Sequence, residues 1–442
     1  MAQEKEYDVV VIGSGSGAAI ADAALAQGDS VALIDRGPVG GTCLNVGCIP
    51  SKVLIASADR VMEVREGEKL GVRAAVEAID FGGIMRRMRA IRDRDVEHTR
   101  HGLHHVEGLD YYPTVAHFVG PRSLEVDGRR VSGRKVFIVA GARPFIPPIR
   151  GLDEVGYLDN ASLLELDRAP ESLVIVGGGY IACEYAHFFS AMGTRVMLVQ
   201  RNPRLVPEEE PEISDLLRAK LAERVELHVG YEAFEAGRTD GGAYVVARHG
   251  PSGAHVRLEG ERILVAAGRR PNTDLLQVER AGIAVDERGY IRVDQYLQTN
   301  VPNVWALGDV IGVQMFKHSA NRAATYAWHN SQHDHAAAID LSLTPHAVFT
   351  WPQIASVGMR EEEARHDHDV LVGRAGYSDV ARGLAIAEVD SFAKIIVDAE
   401  TERILGCHII GPEASTLIQE VVNVMARGEE AGALAVAMRI HP

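Results

Sequence analysis

Residues 7–35 read YDVVVIGSGSGAAIADAALAQGDSVALID, and this stretch decides the fold. An apolar strand pattern leads into a glycine-rich turn, a helix-forming stretch and a second apolar strand, which predicts a βαβ unit. In the turn, Gly13 allows a sharp bend, Gly15 lets backbone N–H groups approach a pyrophosphate, and Ala18 keeps the helix close to the strand. Asp35 ends the second strand where a carboxylate binds ribose hydroxyls. Together these features predict a dinucleotide site, the first dinucleotide motif.

The same pattern recurs at 172–201, SLVIVGGGYIACEYAHFFSAMGTRVMLVQR, the second dinucleotide motif. Its candidate nucleotide contacts are Gly177, Gly179, Tyr180 and Ile181. Gln200 ends the strand where an acid would favour NAD, and Arg201 follows it. A guanidinium there can hold the 2′-phosphate of NADP, with Arg204 as additional help, so NADP is favoured over NAD. The alternative is that Arg201 is a solvated charge at the strand end.

The composition restricts the kinds of partner. The 442 residues carry 46 Lys and Arg against 61 Asp and Glu, a net charge of −15 that repels nucleic acid and anionic membranes. The N-terminal residues contain no apolar signal segment, and no uncharged apolar run approaches the roughly 20 residues of a membrane span. Four cysteines are too few for a secreted disulfide framework. We therefore expect a cytoplasmic protein with no nucleic-acid and no membrane partner.

Two of the cysteines lie in the segment 40–52, GGTCLNVGCIPSK. Cys43 and Cys48 are five positions apart, and an ideal helix would separate their Cα atoms by roughly 8–9 Å, too far for a disulfide. A disulfide therefore requires a bent segment, which Gly47 permits, and Pro50 is compatible with a helical turn resuming after it. Two unrelated buried thiols are the alternative. Because the pair follows a dinucleotide motif in a cysteine-poor chain, we favour a redox-active disulfide.

With these motifs, the chain resembles the class I pyridine nucleotide-disulfide oxidoreductases, the flavoprotein family of dihydrolipoyl dehydrogenase, glutathione reductase, mycothione reductase and mercuric reductase. The shared motifs follow the family's order over essentially the whole chain: GSGSGA, GGTCLNVGCIPSK, GGGYIACE, AAGRRPN, ALGDV and the terminal HP. The resemblance implies FAD in the first dinucleotide site, NADP or NAD in the second, and a homodimer in which the C-terminal domain completes the partner's active site.

The expected fold class is α/β, with two Rossmann-like dinucleotide-binding domains plus an α+β C-terminal dimerisation domain. The FAD-binding domain is expected in two parts, since the second dinucleotide motif interrupts it. The predicted ranges are 1–149 for its first part, 150–269 for the NAD(P)-binding domain, 270–340 for the second FAD or central part, and 341–442 for the interface domain.

The resemblance also implies catalytic roles. Cys43 matches the thiol that attacks the substrate, and Cys48 matches the thiol that lies against the flavin. Lys52 and Glu184 match a buried pair beside the reactive edge of the flavin, for which a structural salt bridge is the alternative. His441 matches a base from the other subunit that shuttles a proton to and from Cys43.

Further cofactor contacts follow from the same resemblance. Tyr180 matches a side chain that covers the flavin face in some members, Asp309 matches the ligand of the FAD ribityl chain, and His318 lies near the flavin-contacting segment. The remaining candidates for cofactor binding are Thr42, Lys52, Ala116, Gly141 and Gly268.

Three positions depart from the family's pattern. Ala140 stands where the family usually has Thr, and Pro-Thr-Val at 113–115 replaces a glycine-containing turn that contacts FAD. The family's C-terminal His is followed five residues later by a Glu, whereas this sequence stops at Pro442. We expect either that the natural chain continues or that His441 lacks an orienting carboxylate and is a weaker base.

The predicted activity is electron transfer between NAD(P)H and a small disulfide through the flavin and the cysteine pair, of the dihydrolipoyl dehydrogenase type. A 2-oxoacid dehydrogenase complex is then a candidate partner. The alternative is an NADPH-dependent reductase of a low-molecular-weight thiol disulfide, of the mycothione or glutathione reductase type, which Arg201 favours. A non-catalytic flavoprotein is disfavoured by the intact cysteine pair, and mercuric reductase by the terminal HP.

Histidines cluster at 98, 101, 104 and 105 and again at 329, 333 and 335. Such spacing could place metal ligands on one helix face, but no cysteine or group of carboxylates supports either cluster. We predict solvated helix faces and no metal site.

Overall fold

The structure is a computed structural model that describes residues 4–103, 106–333 and 337–441. The helices in these ranges are α1 (Gly17–Ala26), α2 (Gly41–Asn45), α3 (Cys48–Glu66), α4 (Phe81–Leu103), α5 (Leu152–Val155), α6 (Tyr180–Ala191), α7 (Pro211–Ala222), α8 (Thr273–Leu276), α9 (Lys317–Gln332), α10 (Glu361–Asp367), α11 (Ala381–Ala385), α12 (Ala414–Arg427) and α13 (Ala433–Val436). Within the same ranges, no helix combines the length and the apolar character that a membrane crossing requires.

The strands are β1 (Glu4–Ile12), β2 (Val31–Ile34), β3 (Leu109–Tyr112), β4 (Ala116–Gly120), β5 (Ser123–Val126), β6 (Arg129–Ile138), β7 (Ala142–Pro144), β8 (Ser172–Val176), β9 (Arg195–Gln200), β10 (Val225–Val229), β11 (Tyr231–Thr239), β12 (Gly242–His249), β13 (His255–Gly260), β14 (Arg262–Val265), β15 (Arg269–Pro271), β16 (Val304–Ala306), β17 (His346–Val348), β18 (Ile354–Gly358), β19 (Val370–Gly376), β20 (Phe392–Asp398) and β21 (Ile404–Ile410). The predicted mixed α/β class is confirmed.

The chain forms two compact units. The first contains the residues up to Ser51 together with Arg87–Phe145 and Arg269–Leu341. The second contains Lys52–Arg86, Ile146–Gly268 and the residues from Ser342 onward. The four domain ranges expected from the sequence remain a prediction.

The first unit is built around a seven-stranded sheet. Its order is β3-β2-β1-β6-β5-β4, with β16 also paired to β6. The pairs β3–β2, β2–β1 and β1–β6 are parallel, whereas β6–β5 and β5–β4 are antiparallel. Residues Val9, Val10 and Val11 of β1 are fully buried, as expected for a central parallel strand covered on both faces. Because β1 and β2 are adjacent and parallel, the carboxyl ends that carry the first glycine turn and Asp35 meet at one sheet edge.

The second unit contains three sheets. A four-stranded parallel sheet has the order β10-β9-β8-β14 and carries the second dinucleotide motif. A three-stranded antiparallel sheet has the order β11-β12-β13. The C-terminal part is a five-stranded antiparallel sheet, β17-β18-β21-β20-β19, against which α12 packs through Ile418, Val421 and Met425. This α+β arrangement is the one that the resemblance predicts for a dimerisation domain.

Candidate active site

The first glycine turn leaves no space for a side chain at Gly13. Gly13 has φ +107°, and a Cβ there would lie 2.3 Å from the Val139 carbonyl oxygen. In front of Gly15, by contrast, a Cβ would meet only the Cα of Gly41, at 3.8 Å. Helix α1 begins directly after this turn, and the side chain of its N-cap residue, Ser16, makes no capping hydrogen bond. The first N–H groups of a helix have no partner within the helix, and with the open space at Gly15 they suit a pyrophosphate, so the turn fits FAD.

Asp35 stands at the end of β2 and is tied to the same turn. Its Oδ2 accepts hydrogen bonds from the Ser14 backbone N–H, at 2.7 Å, and from the Ser14 hydroxyl. Its Oδ1 accepts the Gly37 backbone N–H at 3.0 Å. These bonds orient the carboxylate at the sheet edge, where it can accept from ribose hydroxyls. Helix α1 also packs tightly on β1 at Gly17, since a Cβ there would lie 2.7 Å from Val11 Cγ1.

The cysteine segment is bent, as the spacing predicts. Helix α2 ends at Asn45, the backbone leaves the helical region at Val46, and α3 starts at Cys48. At Gly47 the reason is close approach, because a Cβ there would lie 2.9 Å from the Thr42 carbonyl oxygen. Both cysteines are thiols, and the two side chains share a hydrogen bond. The bend therefore removes the separation that a straight helix would impose on the pair.

Asn45, which the sequence analysis did not single out, holds the cysteine segment in place. It is buried, and its Nδ2 donates to the carbonyl oxygens of Pro38, Val39 and Gly41 at 3.1, 3.0 and 2.9 Å. These bonds satisfy backbone groups that no helix or sheet ladder serves. The available sequence signal was an asparagine between the two cysteines.

The ionisation of Cys43 depends on its neighbours. The hydrogen bond with Cys48, burial and the charge of Cys48 all raise the pKa of the Cys43 thiol, while the positive charge of Lys317 lowers it. Opposite charges favour the ionised form of a group, so Lys317 is the side chain here that promotes the thiolate. This lysine was not predicted from the sequence, although it directly precedes the candidate His318.

Lys52 and Glu184 form an ion pair in the second unit. Lys52 Nζ lies 2.8 and 2.7 Å from the two carboxylate oxygens of Glu184, whose side chain is only 6% exposed. The Phe349 backbone N–H donates to the same carboxylate at 3.0 Å, and the lysine amine lies 4.6 Å from the centre of the Phe349 ring. A carboxylate fixed in this way holds the amine of Lys52 in one position.

Asp309 lies in the first unit, in the short 3-10 turn Gly308–Ile311. Burial raises the pKa of its carboxyl, and the guanidinium of Arg269, at 3.3 Å, acts in the opposite direction.

Gly141 has φ +67°, and Asn272 supports its turn by donating to the carbonyl oxygens of Ala140 and Gly141 at 2.7 and 3.2 Å. Among the other FAD candidates, Ala116 is buried at the start of β4, Thr42 is exposed in α2, and His318 is exposed and stacks on Phe316.

The second glycine turn repeats the first in its backbone. Gly177 has φ +131°, and a Cβ there would lie 2.2 Å from the Ala266 carbonyl oxygen. Apart from the chain neighbours, no heavy atom of the described residues lies within 4 Å of a Cβ built at Gly179 or at Gly268. Tyr180 and Ile181, both half-buried, open α6 directly after this turn. An open backbone before a helix start again fits a pyrophosphate, here that of NAD(P).

The end of β9 differs from the end of β2. Gln200 is buried, and its side chain fills the space in front of Gly178, whose Cβ would lie 2.7 Å from Gln200 Cγ. Arg201 is exposed, and within the described ranges it takes part in no ion pair. Arg204 pairs with Asp215 at 3.5 Å. Arg201 is therefore the guanidinium at this strand end that can receive a phosphate.

The remaining candidates are an exposed histidine and residues outside the described ranges. His441 is exposed at the end of the described chain, and Pro442, His104, His105 and His335 lie outside the described residues. In the part of the chain that is described, no group of three His, Cys, Asp or Glu side chains is arranged to hold a metal ion.

Two matches to known families cover nearly the whole chain. The pyridine nucleotide-disulphide oxidoreductase family matches residues 7–331, and its dimerisation domain matches residues 344–442. A dihydrolipoyl dehydrogenase of Thermus scotoductus is 33% identical over 453 residues, 99% of this chain and 95% of the relative. A mycothione reductase of Mycobacterium tuberculosis is 33% identical over 452 residues, 99% and 96% of the two chains.

A mercuric reductase of Staphylococcus aureus and a solved structure extend the comparison. The mercuric reductase is 32% identical over 422 residues, 94% of this chain but 76% of the relative. The structure is the Cu(II) complex of RclA, an HOCl-induced flavoprotein disulfide reductase from Escherichia coli, with a TM-score of 0.88, 29% identity, and coverage of 99% and 97%. The chain belongs to the pyridine nucleotide-disulphide oxidoreductase family, and it is a flavin-dependent oxidoreductase that uses FAD and NAD(P)H.

Proposed function

We propose that the protein exchanges electrons with a small dithiol or disulfide through Cys43 and Cys48, in the manner of a dihydrolipoyl dehydrogenase. The bent segment that brings the two thiols into hydrogen-bonding contact is the observation that carries this proposal. A thiolate is the form of cysteine that attacks a disulfide, and a second thiol beside it can complete the exchange. The dihydrolipoyl dehydrogenase relative, matched over nearly its full length, supports this substrate class.

The chain's own residues would hold the two cofactors. In this proposal the glycines of the first turn, Asp35 and Asp309 hold FAD, joined by Thr42, Ala116, Gly141 and His318. The second turn, Tyr180, Ile181 and Gly268 hold the pyridine nucleotide. Bound flavin supplies the conversion between hydride transfer and thiol–disulfide chemistry.

Lys52, Glu184 and His441 have supporting roles in the proposal. Lys52, held in position by Glu184, supplies a positive charge that stabilises the negative charge of a reduced flavin. His441, from a second copy of the chain, takes the proton released when the Cys43 thiol becomes a thiolate.

A homodimer follows from that role of His441. The match to the dimerisation domain supports it, as do three almost fully exposed apolar side chains near the described C-terminus, Val436, Met438 and Ile440. Sedimentation or light scattering of the holoenzyme would report twice the chain mass if this is correct, and a monomer would remove His441 from the site. The same proposal places the dimer in the cytoplasm.

A second candidate is an NADPH-driven reductase of a low-molecular-weight disulfide. The exposed guanidinium of Arg201 beside the buried amide of Gln200 favours it, because neither residue competes with a 2′-phosphate as a carboxylate would. The mycothione reductase relative supports this substrate class.

Anaerobic titration of the holoenzyme with NADH and with NADPH, followed through flavin absorbance, separates the two candidates. Assays with lipoamide and with glutathione and mycothione disulfides complete the test. Preference for NAD with dihydrolipoamide as electron donor supports the first candidate, and preference for NADPH with a thiol disulfide as acceptor supports the second. An enzyme that reacts with none of these substrates contradicts both.

A further inference from the structure

Lys317 is a half-buried lysine that forms no ion pair with a carboxylate in the described part of the chain. It opens α9, and its Nζ donates to the Ser16 hydroxyl oxygen at 3.1 Å. Ser16 is buried and donates its own hydroxyl proton to Asn321 Oδ1 at 2.8 Å, so its oxygen is directed at the amine. Among the ion pairs of the described residues, none includes Lys317. A half-buried ammonium group bonded to a neutral hydroxyl is stabilised by a negative charge nearby.

The turn that carries Ser16 packs directly on the helix that carries Cys43. A Cβ at Gly41, the first residue of α2, would lie 2.8 Å from the Cα of Gly15. The Gly40 backbone N–H also donates to the Ser14 hydroxyl oxygen at 2.9 Å. A methyl group at Gly41 would therefore clash with the turn. The amine of Lys317 is therefore bonded to a turn that packs on α2, the helix that contains Cys43.

The charges around Lys317 point to the thiols. Burial lowers the pKa of its amine, and the thiols of Cys43 and Cys48 act in the opposite direction. Lys317 in turn lowers the pKa of Cys43, against the hydrogen bond with Cys48 and burial. Asp35, the carboxylate bound to the same turn, is engaged by Ser14 and Gly37. The two thiols are therefore the acidic groups whose charge acts on the amine.

We infer that Lys317 is an electrostatic positioning residue that stabilises the thiolate of the reduced Cys43–Cys48 pair. The inference rests on the proposed function, since it assumes that the pair is the redox-active one. In the oxidised pair there is no thiolate with which the ammonium group of Lys317 can interact. When the pair is reduced and one thiol loses its proton, the ammonium group compensates the new negative charge in a partly desolvated place.

The test is the pH dependence of alkylation in the holoenzyme reduced with dithiothreitol, freed of excess reductant under anaerobic conditions. The rate of reaction with iodoacetamide reports the thiolate fraction. We expect Lys317→Met and Lys317→Gln to move the midpoint of the rate–pH profile upward by about one pH unit or more, because an opposite charge is removed. Lys317→Arg, which keeps the charge, should leave the midpoint close to that of the unmodified protein.

The matched control is Lys135→Met. Lys135 is also half-buried in the first unit, and burial lowers the pKa of its amine as well, but its electrostatic partners are Asp29 and Asp8. Its replacement should not move the midpoint. An unchanged midpoint in both Lys317→Met and Lys317→Gln overturns the inference, and so does an equal shift in Lys317→Arg. The assay needs neither NAD(P)H nor a disulfide substrate, so a failed substrate assay refutes the proposed function without altering this result.

Discussion

The two dinucleotide motifs share a backbone and differ in the residues at the strand end. Gly13 and Gly177 both adopt positive φ, and a Cβ at either would meet a carbonyl oxygen at 2.3 or 2.2 Å. At the end of β2, Asp35 is bound by Ser14 and Gly37. At the end of β9, a buried Gln200 is followed by an exposed Arg201. The glycine pattern thus builds the same phosphate-binding turn twice, and the strand-end residue sets the charge offered to the nucleotide.

The motifs also differ in where their cysteines lie. After β2 the chain enters the bent segment with the half-buried Cys43 and the exposed Cys48. In the second motif, Cys183 lies inside α6, fully buried, with its sulphur 3.6 Å from the Gly178 carbonyl oxygen. Burial raises the pKa of the Cys183 thiol, which keeps it protonated and unreactive. A cysteine beside a glycine turn is therefore reactive only where the local fold exposes it.

The largest expected effect comes from replacing Cys43 or Cys48, the cysteines proposed to be redox-active. Cys43→Ser or Cys48→Ser should lower disulfide turnover by about 10³-fold or more, because the nucleophile or its partner thiol is lost. Flavin content and flavin reduction by NAD(P)H should persist. Steady-state kinetics measure the loss, and Cys183→Ala is the control that should keep most of the activity. Equal losses in all three variants would erase the distinction between the two motifs.

A methyl group in either turn should have the next largest effect. Gly13→Ala should yield protein with little bound flavin, and Gly177→Ala should retain flavin but bind NAD(P)H weakly, because each adds a clash to a left-handed φ that costs about 1–3 kcal/mol. Flavin-to-protein ratios and nucleotide titrations measure both. The control is Gly28→Ala, which has φ +85° but no heavy atom within 4 Å of the new Cβ. If Gly28→Ala also loses flavin, strain alone is responsible.

Arg201 tests the difference at the strand ends directly. Arg201→Ala should raise KM for NADPH by about 10–100-fold and leave KM for NADH nearly unchanged, since a charge-assisted bond to the 2′-phosphate is lost. Arg204→Ala should change both values little, because Arg204 already pairs with Asp215. Equal effects of Arg201→Ala on the two nucleotides would make Arg201 a surface charge.

The smallest effect concerns the pair of Glu209 and His346 in the second unit, 2.6 Å apart. Burial opposes protonation of His346, but the bond to Glu209 and its charge raise the His346 pKa, and burial of Glu209 is outweighed so that its pKa is lowered. Protonated His346 contributes to the free energy of unfolding. That contribution is complete below the unfolded-state pKa of about 6.5 and is lost as pH rises through the higher pKa of the folded state.

Thermal unfolding at pH 6 and at pH 9 measures that loss. His346→Gln should reduce the difference between the two pH values. His117→Gln in the first unit, where the nearest carboxylate is Glu125 at 3.9 Å, should leave it as in the unmodified protein. A pH difference that persists in His346→Gln would show that another group causes it.

Local patterns allowed much of this molecule to be predicted. The glycine turns, the strands on either side of them and the bend at Gly47 follow from spacing and backbone sterics, which act within a few residues. Asn45, Asn272 and Lys317 were not predicted, because their partners come from segments that are irregular or distant in sequence. Ser16 and Lys317 are 301 positions apart, and no local pattern relates them.

By itself, the sequence determined the class of the fold, the family and which two cysteines are candidates for a redox pair. Glycine placement and apolar periodicity allow this because they dictate backbone shape locally. Only the tertiary structure decided which thiol is exposed, which strand-end residue remains available to a phosphate, and which cation faces the cysteine pair. Burial and electrostatic interaction depend on the distances between groups and on their removal from water, and packing of distant segments sets both.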